Sequence, residues 1–279
     1  FVEKDYNKAL EFAIQLSNQL KTHLIAYHSI PVAPAPTAAM EGIAENIIVT
    51  DEAVHKAAFQ QKLDTAFKHA GLVNNNASII VEHTPMLVES IIDHAQKENA
   101  DLIVMGTHGS SGLQKFFFGS NTSTLISKTD IPVLAIPENY QVTTLKEFLF
   151  SSDLENIAIE LAELVPLVEQ LNASLHIVFF DYGKDPEHKL LNNAKAILET
   201  IAYKNIRIIR QPANIEETLN KQIKNYLGNN KPDCLVMFTR ERTLWDRLFA
   251  GSKTEDMSES LQIPLLSFKK GKARPVISF

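Results

Sequence analysis

What the sequence lacks excludes several classes of protein. A single cysteine, Cys234, rules out an internal disulfide and fits a reducing compartment, so we expect a cytoplasmic protein. No apolar run approaches the roughly 18 residues that a membrane-spanning helix needs. The net charge of −6 provides no general attraction to nucleic acid or to an anionic membrane. We therefore expect neither of them as a partner.

The sequence also lacks the signatures of common catalytic and metal centres. It has no GxxxxGK[ST] phosphate-binding loop and no obvious pair of aspartates for magnesium. His23, His28, His83 and His94 show neither the HxxxH nor the CxxC type of spacing found in zinc sites. His108 has no evident nucleophile or orienting partner in the sequence. We predict no catalytic residue and no metal site.

The most informative stretch of the chain runs from Asp101 to Pro137. It opens with the apolar run Leu102–Met105, which is typical of a strand buried on both faces of a parallel sheet. Ser120 and Asn121 open a helical pattern further on. Three glycines follow the strand, all before Ser120: Gly106, Gly109 and Gly119.

This combination predicts a phosphate-binding site. Glycines at the end of a strand let a ligand approach the backbone closely, because no Cβ stands in the way. The free N–H groups and the dipole of a helix N-terminus attract anions. Open α/β sheets bind their ligands at the carboxyl ends of the strands. Taken alone, each glycine is better explained as a turn residue, so the prediction rests on their joint spacing.

The spacing Gly106-x2-Gly109-x9-Gly119-Ser120 resembles the nucleotide-binding signature of the universal stress protein family, in its ATP-binding branch. The resemblance implies an α/β fold of the adenine-nucleotide type. It also implies that ATP, ADP or AMP binds together with magnesium. The implied contacts to the nucleotide come from Ala26, Met105, Gly106, His108, Gly109, Gly119, Ser120 and Asn121, mostly through main-chain atoms.

Helical and strand patterns alternate along the first half of the chain, which predicts a parallel sheet with helices on both faces. The first pattern is helical and covers residues 3–20, whereas members of the resembling family begin with a strand that ends in an adenine-contacting aspartate. We therefore expect that strand to lie upstream of Phe1. Pro31, Pro34 and Pro36 indicate a long loop from Ser29 to Thr50.

The second half of the chain repeats the first. A shift of 132 residues places Gly251 on Gly119 and Pro264 on Pro132 without a gap. We predict two tandem universal stress protein domains, 1–137 and 145–279, joined by a linker at 138–144. Each should form a five-stranded, mostly parallel sheet.

The predicted domains have a natural way to associate. In the resembling family, single-domain members dimerise by pairing their last strands. Here the strands Val133–Ile136 and Leu265–Ser267 are expected to pair within one chain and form a pseudo-two-fold unit, which would cover two sheet edges. The resemblance also allows a homodimer.

The two copies of the motif differ in their chemistry. The same shift places Phe238 on Gly106 and Glu241 on Gly109. A phenylalanine blocks the close backbone approach, and a carboxylate repels phosphate. We therefore predict that nucleotide binds in the first domain only and that the second domain is structural or regulatory. Asp153 stands at the family's adenine-contacting position, or is the N-cap of the following helix.

Three functions follow from these observations. The first is an ATP-binding protein with a regulatory role in the stress response. The second is a slow ATP hydrolase or phosphoryl-transfer protein, which the missing phosphate-binding loop argues against. Hydrolysis that depends on Ser120 or His108 would favour it. The third is an interaction module without nucleotide, which the complete glycine set argues against.

Overall fold

The structure is a computed structural model, and it describes residues 3–30, 41–107, 120–137, 140–141, 144–183, 188–239 and 263–269. The chain forms two compact units, one of Leu10–Ala100 and one of Phe1–Ala9 with Asp101–Phe279. The predicted α/β class is confirmed, because helices and strands alternate and most strand pairs are parallel. Within these described ranges, no helix is long and apolar enough to cross a lipid bilayer. The domain boundaries near residues 137 and 145 stay a prediction.

The unit Leu10–Ala100 contains a parallel pair of strands, β1 (Leu24–Ile30) and β2 (Ala77–His83). In their register Ala26 lies opposite Ile79. The helices that precede, join and follow these strands are α1 (Glu3–Leu20), α2 (Glu41–His69) and α3 (Leu87–Lys97).

Helix α2 begins earlier than the sequence pattern predicts. The predicted loop from Ser29 to Thr50 is wrong at both ends, since β1 continues to Ile30 and α2 starts at Glu41. All three prolines precede Glu41, and residues 43–50 contain neither proline nor glycine, so nothing there interrupts a helix. The helix ends at His69, and Gly71 then adopts a φ of 69°, a left-handed conformation that favours glycine after a helix.

The larger unit contains a seven-stranded sheet in the order β3-β4-β9-β8-β5-β6-β7. All neighbours are parallel except β4 and β9, which run antiparallel with Leu134 opposite Leu266. Both leucines are 1% exposed, so this junction lies in the core. The strands are β3 (Ile103–Gly106), β4 (Val133–Ile136), β5 (Glu147–Ser151), β6 (Ser174–Asp181), β7 (Ile206–Pro212), β8 (Cys234–Thr239) and β9 (Leu265–Lys269).

Four described helices belong to this larger unit. The most buried of them, α5, runs through the core with Leu161, Leu164 and Val168 almost fully shielded from solvent. Such an apolar side is what a helix needs in order to pack against a sheet. The four helices are α4 (Ser120–Lys128), α5 (Ile157–Gln170), α6 (Lys189–Thr200) and α7 (Leu219–Asn230).

The sizes of the sheets differ from the predicted five strands in each domain. Strands β5 to β9 do form a five-stranded parallel set, in which β5 lies between β6 and β8 and connects its two halves. No strand makes that connection among the described residues of the first half, where β1 pairs with β2 and β3 pairs with β4. The first half therefore contributes one pair of strands to each sheet.

Candidate functional site

The candidate site lies where β3 ends and α4 begins, within the larger unit. Gly106 is the last residue of β3, and Ser120 is the first residue of α4. The Thr122 hydroxyl donates a hydrogen bond to the Gly106 carbonyl oxygen, with Oγ1 and O 3.1 Å apart. Thr122 is 1% exposed, so this bond is shielded from water. The end of the strand and the first turn of the helix are thus held side by side.

The end of β3 is fixed by its neighbour β4. Met105 lies opposite Ala135 and Gly106 opposite Ile136. The pairing continues for one residue past the strand, because the Thr107 N–H donates to the Ile136 carbonyl at 3.0 Å. Ala135 and Ile136 are buried, whereas Met105 and Gly106 are partly exposed. The strand end therefore combines a rigid backbone with access for a ligand.

The electrostatics at the start of α4 favour an anion. The first N–H groups of a helix have no partner within the helix, and the helix dipole places partial positive charge there. The first turn of α4 contains no acidic residue that would offset this charge. Asn121 in that turn is exposed. A phosphate group is the type of ligand that such a helix start can bind.

The structure brings together only some of the residues that the sequence predicts for the site. Met105 and Gly106 at the end of β3, with Ser120 and Asn121 at the start of α4, belong to the junction described above. Ala26 lies in β1 of the other unit and is 6% exposed. The remaining three, His108, Gly109 and Gly119, lie outside the described residues.

Thr122 also belongs to this junction, although the glycine motif does not include it. Its position in the first turn of α4, directly after the motif, was the available signal. Threonine in a first helical turn is common for other reasons, however, and its side chain usually meets solvent or the local backbone. The bond to Gly106, 16 residues away in the chain, is a tertiary contact that no local pattern reveals.

The corresponding place in the second half of the chain is filled by aromatic rings. Phe238, the counterpart of Gly106, stacks on Phe268 with ring centroids 4.6 Å apart and lies 5.2 Å from the ring of Phe150. Phe150 is fully buried and Phe268 is 3% exposed. The rings belong to the carboxyl-terminal halves of β5, β8 and β9, the region where a ligand would need space.

Asp153 shapes the turn that leads into α5. Its carboxylate oxygen Oδ1 accepts a hydrogen bond from the Glu155 N–H at 3.0 Å, which is an Asx-type turn. The alternative that Asp153 is the N-cap of this helix is wrong, because α5 starts at Ile157 and Asn156 occupies the cap position. Asp153 instead stabilises the turn that directly precedes the helix.

A polar network next to Ala26 joins three elements of the unit Leu10–Ala100. The hydroxyl of Tyr27 lies 2.9 Å from a carboxylate oxygen of Glu82 and 3.0 Å from the Ser90 hydroxyl, and His94 Nε2 lies 3.0 Å from the other oxygen of Glu82. Burial raises the pKa of Tyr27 to about 12. The Tyr27 phenol therefore stays protonated at neutral pH, and its hydrogen bonds connect β1, β2 and α3.

Glu82 remains charged within this network. Burial acts to raise the pKa of Glu82, but the hydrogen bonds from His94 and Tyr27 outweigh it and lower the pKa below its ordinary value.

The thiol of Cys234 is completely buried, and this burial raises its pKa far above the usual range. The described part of the chain holds no group of three or more histidine, cysteine, aspartate or glutamate side chains suited to a metal ion.

His28, two residues after Ala26, lies in a cluster of rings. Its ring stacks against Phe59 at 5.2 Å and lies 6.0 Å from the ring of His55. Burial lowers the pKa of His28, and the charges of His55 and Lys62 lower it further. The unfolded chain therefore binds this proton more tightly than the folded chain does. This group's contribution to stability is present above the unfolded pKa of about 6.5 and is lost as the pH falls from there through the lower folded pKa.

Replacing His55 by glutamine should raise the pKa of His28. The charge on His55 disappears while the burial of His28 remains, so the new value should move toward the ordinary one and stay below it. An NMR titration of the His28 ring protons measures this directly. His23→Gln is the control, since His23 is exposed and bonds to Asn76 and Ser78 instead. An unchanged pKa of His28 in His55→Gln would refute the assignment.

These features define the class of the protein: an α/β protein in which a parallel strand ends beside the start of a helix. The model of the universal stress protein family matches residues 3–137. Over these residues the chain is similar to the universal stress protein family.

Individual relatives are similar over about half of the chain. The stress response protein NhaX of Bacillus subtilis is 28% identical over 149 residues, which cover 46% of this chain and 89% of that protein. The universal stress protein MJ0531 of Methanocaldococcus jannaschii is 27% identical over 133 residues, covering 46% and 73%.

One solved structure is similar over nearly the whole chain. The crystal structure of a universal stress protein from Archaeoglobus fulgidus covers 95% of this chain and 94% of its own, with a TM-score of 0.64 and 17% sequence identity. At that identity the similarity shows the fold alone.

Proposed function

We propose that this protein binds an adenine nucleotide, mainly ATP together with magnesium, and that it acts as a regulatory protein in the stress response. The observation that carries the proposal is the junction of β3 and α4. The residues that follow the strand and those that open the helix belong to one glycine-rich motif, and the Thr122–Gly106 hydrogen bond keeps the two elements in contact.

Each part of the site has a separate role in this proposal. The N–H groups of Ser120 and Asn121 bind the phosphates, and the Ser120 hydroxyl is a further donor. Main-chain atoms of Met105 and Gly106 border the ribose and the adenine. The other residues of the glycine motif complete the phosphate site in this proposal: His108, Gly109 and Gly119.

The two halves of the chain are tandem domains in this proposal, and their strand registers support it. Ile103 lies opposite Val133 in the β3–β4 pair, and Leu235 lies opposite Leu265 in the β8–β9 pair. Both pairs begin with an equivalent hydrogen bond of 2.9 Å: Ile103 N–H donates to the Pro132 carbonyl, and Leu235 N–H donates to the Pro264 carbonyl. The 132-residue shift places the first bond on the second bond and the first residue pair on the second residue pair.

The antiparallel pairing of β4 with β9 supports an association of the two domains through their last strands. Because each of these strands is the last one of its domain, joining them leaves neither with an open edge. We propose that the second domain contributes this structural role and binds no nucleotide, because Phe238 and Phe268 fill the place that corresponds to the open end of β3.

We further propose that the protein is located in the cytoplasm and that it has no nucleic-acid or membrane partner.

Thermal unfolding in the presence of nucleotides tests the proposal. A ligand that binds only the folded state stabilises it by about 2.7 kcal/mol at 100 times its dissociation constant. ATP with magnesium should therefore raise the Tm in proportion to the logarithm of its concentration. Release of inorganic phosphate, measured in the same samples, should stay at the level of the buffer. A Tm that does not respond to ATP, ADP or AMP would refute the proposal, and phosphate release that needs the protein would favour a hydrolase.

A further inference from the structure

We infer that Thr122 is a positioning residue: its hydroxyl sets where the first turn of α4 stands against the end of β3, and so determines how tightly the nucleotide's phosphates bind. The inference rests on the proposed function. It adds a residue that has no place in the glycine motif and that would not itself contact the ligand. The hydrogen bond from Thr122 Oγ1 to the Gly106 carbonyl at 3.1 Å carries it.

The direction of the Gly106 carbonyl explains why this bond is needed. In a parallel sheet, the N–H and C=O groups of alternate residues point to opposite neighbours. Ile103 and Thr107 donate their N–H groups to β4, so odd-numbered residues of β3 bond with β4. The even-numbered Gly106 therefore directs its carbonyl away from β4. Thr122 provides the donor for this carbonyl on the side that β4 does not reach.

The geometry transmits this bond to the phosphate site. Thr122 is the third residue of α4, one turn or less from the N–H groups of Ser120 and Asn121. A helical turn is a stiff unit, so fixing Thr122 fixes those N–H groups as well. Thr122 is 1% exposed, so water does not compete with its hydroxyl for the Gly106 carbonyl. Losing the bond would release the helix start from the strand end.

The adenine side of the site should not depend on this bond. Met105 and Gly106 are held by the pairing of β3 with β4, which continues through the Thr107 N–H bond to the Ile136 carbonyl and does not need Thr122. Removing the hydroxyl should therefore weaken binding of the phosphates and leave binding of the nucleoside unchanged. A residue with a merely structural role would affect both equally, because it would lower the fraction of folded protein for either ligand.

The second domain supplies a matched control. The 132-residue shift places Thr254 on Thr122 within the same sequence pattern. If the second domain binds no nucleotide, removing its hydroxyl has no effect on binding. The pair Thr122→Val and Thr254→Val thus applies one chemical change at two corresponding positions of a single chain.

The test compares ATP with adenosine in the full-length protein, titrating ATP by calorimetry and measuring adenosine by its displacement of ATP. Thr122→Val should bind ATP about tenfold more weakly, the effect expected for one lost hydrogen bond, and adenosine as the wild type does. Thr122→Ser keeps the hydroxyl and should restore ATP binding. Thr254→Val should match the wild type for both ligands. If Thr122→Val does not fold, Thr122→Ala serves for the same comparison.

The outcomes separate this inference from the proposed function. If the wild type binds no ATP, the proposed function fails and the inference fails with it. If the wild type binds ATP and Thr122→Val binds it equally well, only the inference is overturned. Equal losses for ATP and adenosine would also overturn it, since they would make Thr122 a structural residue.

Discussion

Replacing Gly109 by glutamate should weaken ATP binding by about 100-fold or more. A carboxylate roughly 4 Å from a phosphate at an intermediate dielectric costs several kcal/mol, which corresponds to two or more orders of magnitude in the dissociation constant. Glutamate is the residue that the second half of the chain carries at this position, as Glu241, so the substitution transfers its chemistry to the first motif. Calorimetric titration with ATP and magnesium measures the change.

The matched control for this substitution is Gly109→Gln. Glutamine has nearly the same shape as glutamate but no charge, so it separates repulsion from bulk. Gly109→Gln should bind ATP more weakly than the wild type and more tightly than Gly109→Glu. ATP binding that survives Gly109→Glu would mean that the motif is not the site, or that the second domain binds the nucleotide.

Replacing Leu266 by alanine should lower the free energy of unfolding by about 2–5 kcal/mol, the usual range for a buried leucine. Leu266 is 1% exposed and lies opposite Leu134 of β4 on one side and Val236 of β8 on the other. Its loss would leave a cavity where strands from the two halves of the chain meet. Urea unfolding followed by circular dichroism gives the change in stability.

Leu219→Ala is the control for Leu266→Ala, because it removes the same atoms at a position that is 38% exposed. It should cost about 1 kcal/mol or less, since little apolar surface becomes exposed or empty. Comparable losses in both variants would contradict the placement of Leu266 in a core shared by β4, β8 and β9.

The parts of the structure that the sequence predicts are those with local signals. The uninterrupted apolar run ending at Met105 predicts a strand, and β3 is found there, but its residues are half-buried and not buried on both faces as the run predicts. Ser120 and Asn121 predict the start of a helix, and α4 begins at Ser120. Cys234 within an apolar run predicts a core position, and its side chain is fully buried. In each case adjacent residues carry the information.

The parts that the sequence does not predict depend on contacts between distant residues. The bond from Thr122 to Gly106 requires knowing which carbonyl of β3 lacks a partner in β4. In the second half of the chain, β5 connects β6 with β8, whereas no described strand of the first half connects its two pairs of strands. The division into a two-stranded and a seven-stranded sheet follows from this difference, which becomes visible only in the pairing of the strands. The start of α2 at Glu41 was predicted too late for a different reason, because the prolines before it extended the predicted loop too far.

The most direct test of the central claim, that one nucleotide binds in the first domain, is the stoichiometry of ATP binding to the full-length protein. Calorimetric titration with magnesium present should give a saturable isotherm with one ATP for each chain. Two ATP molecules for each chain would show that the aromatic cluster around Phe238 does not close the second domain to nucleotide. No saturable binding would contradict the claim, because the glycine motif would then hold no nucleotide.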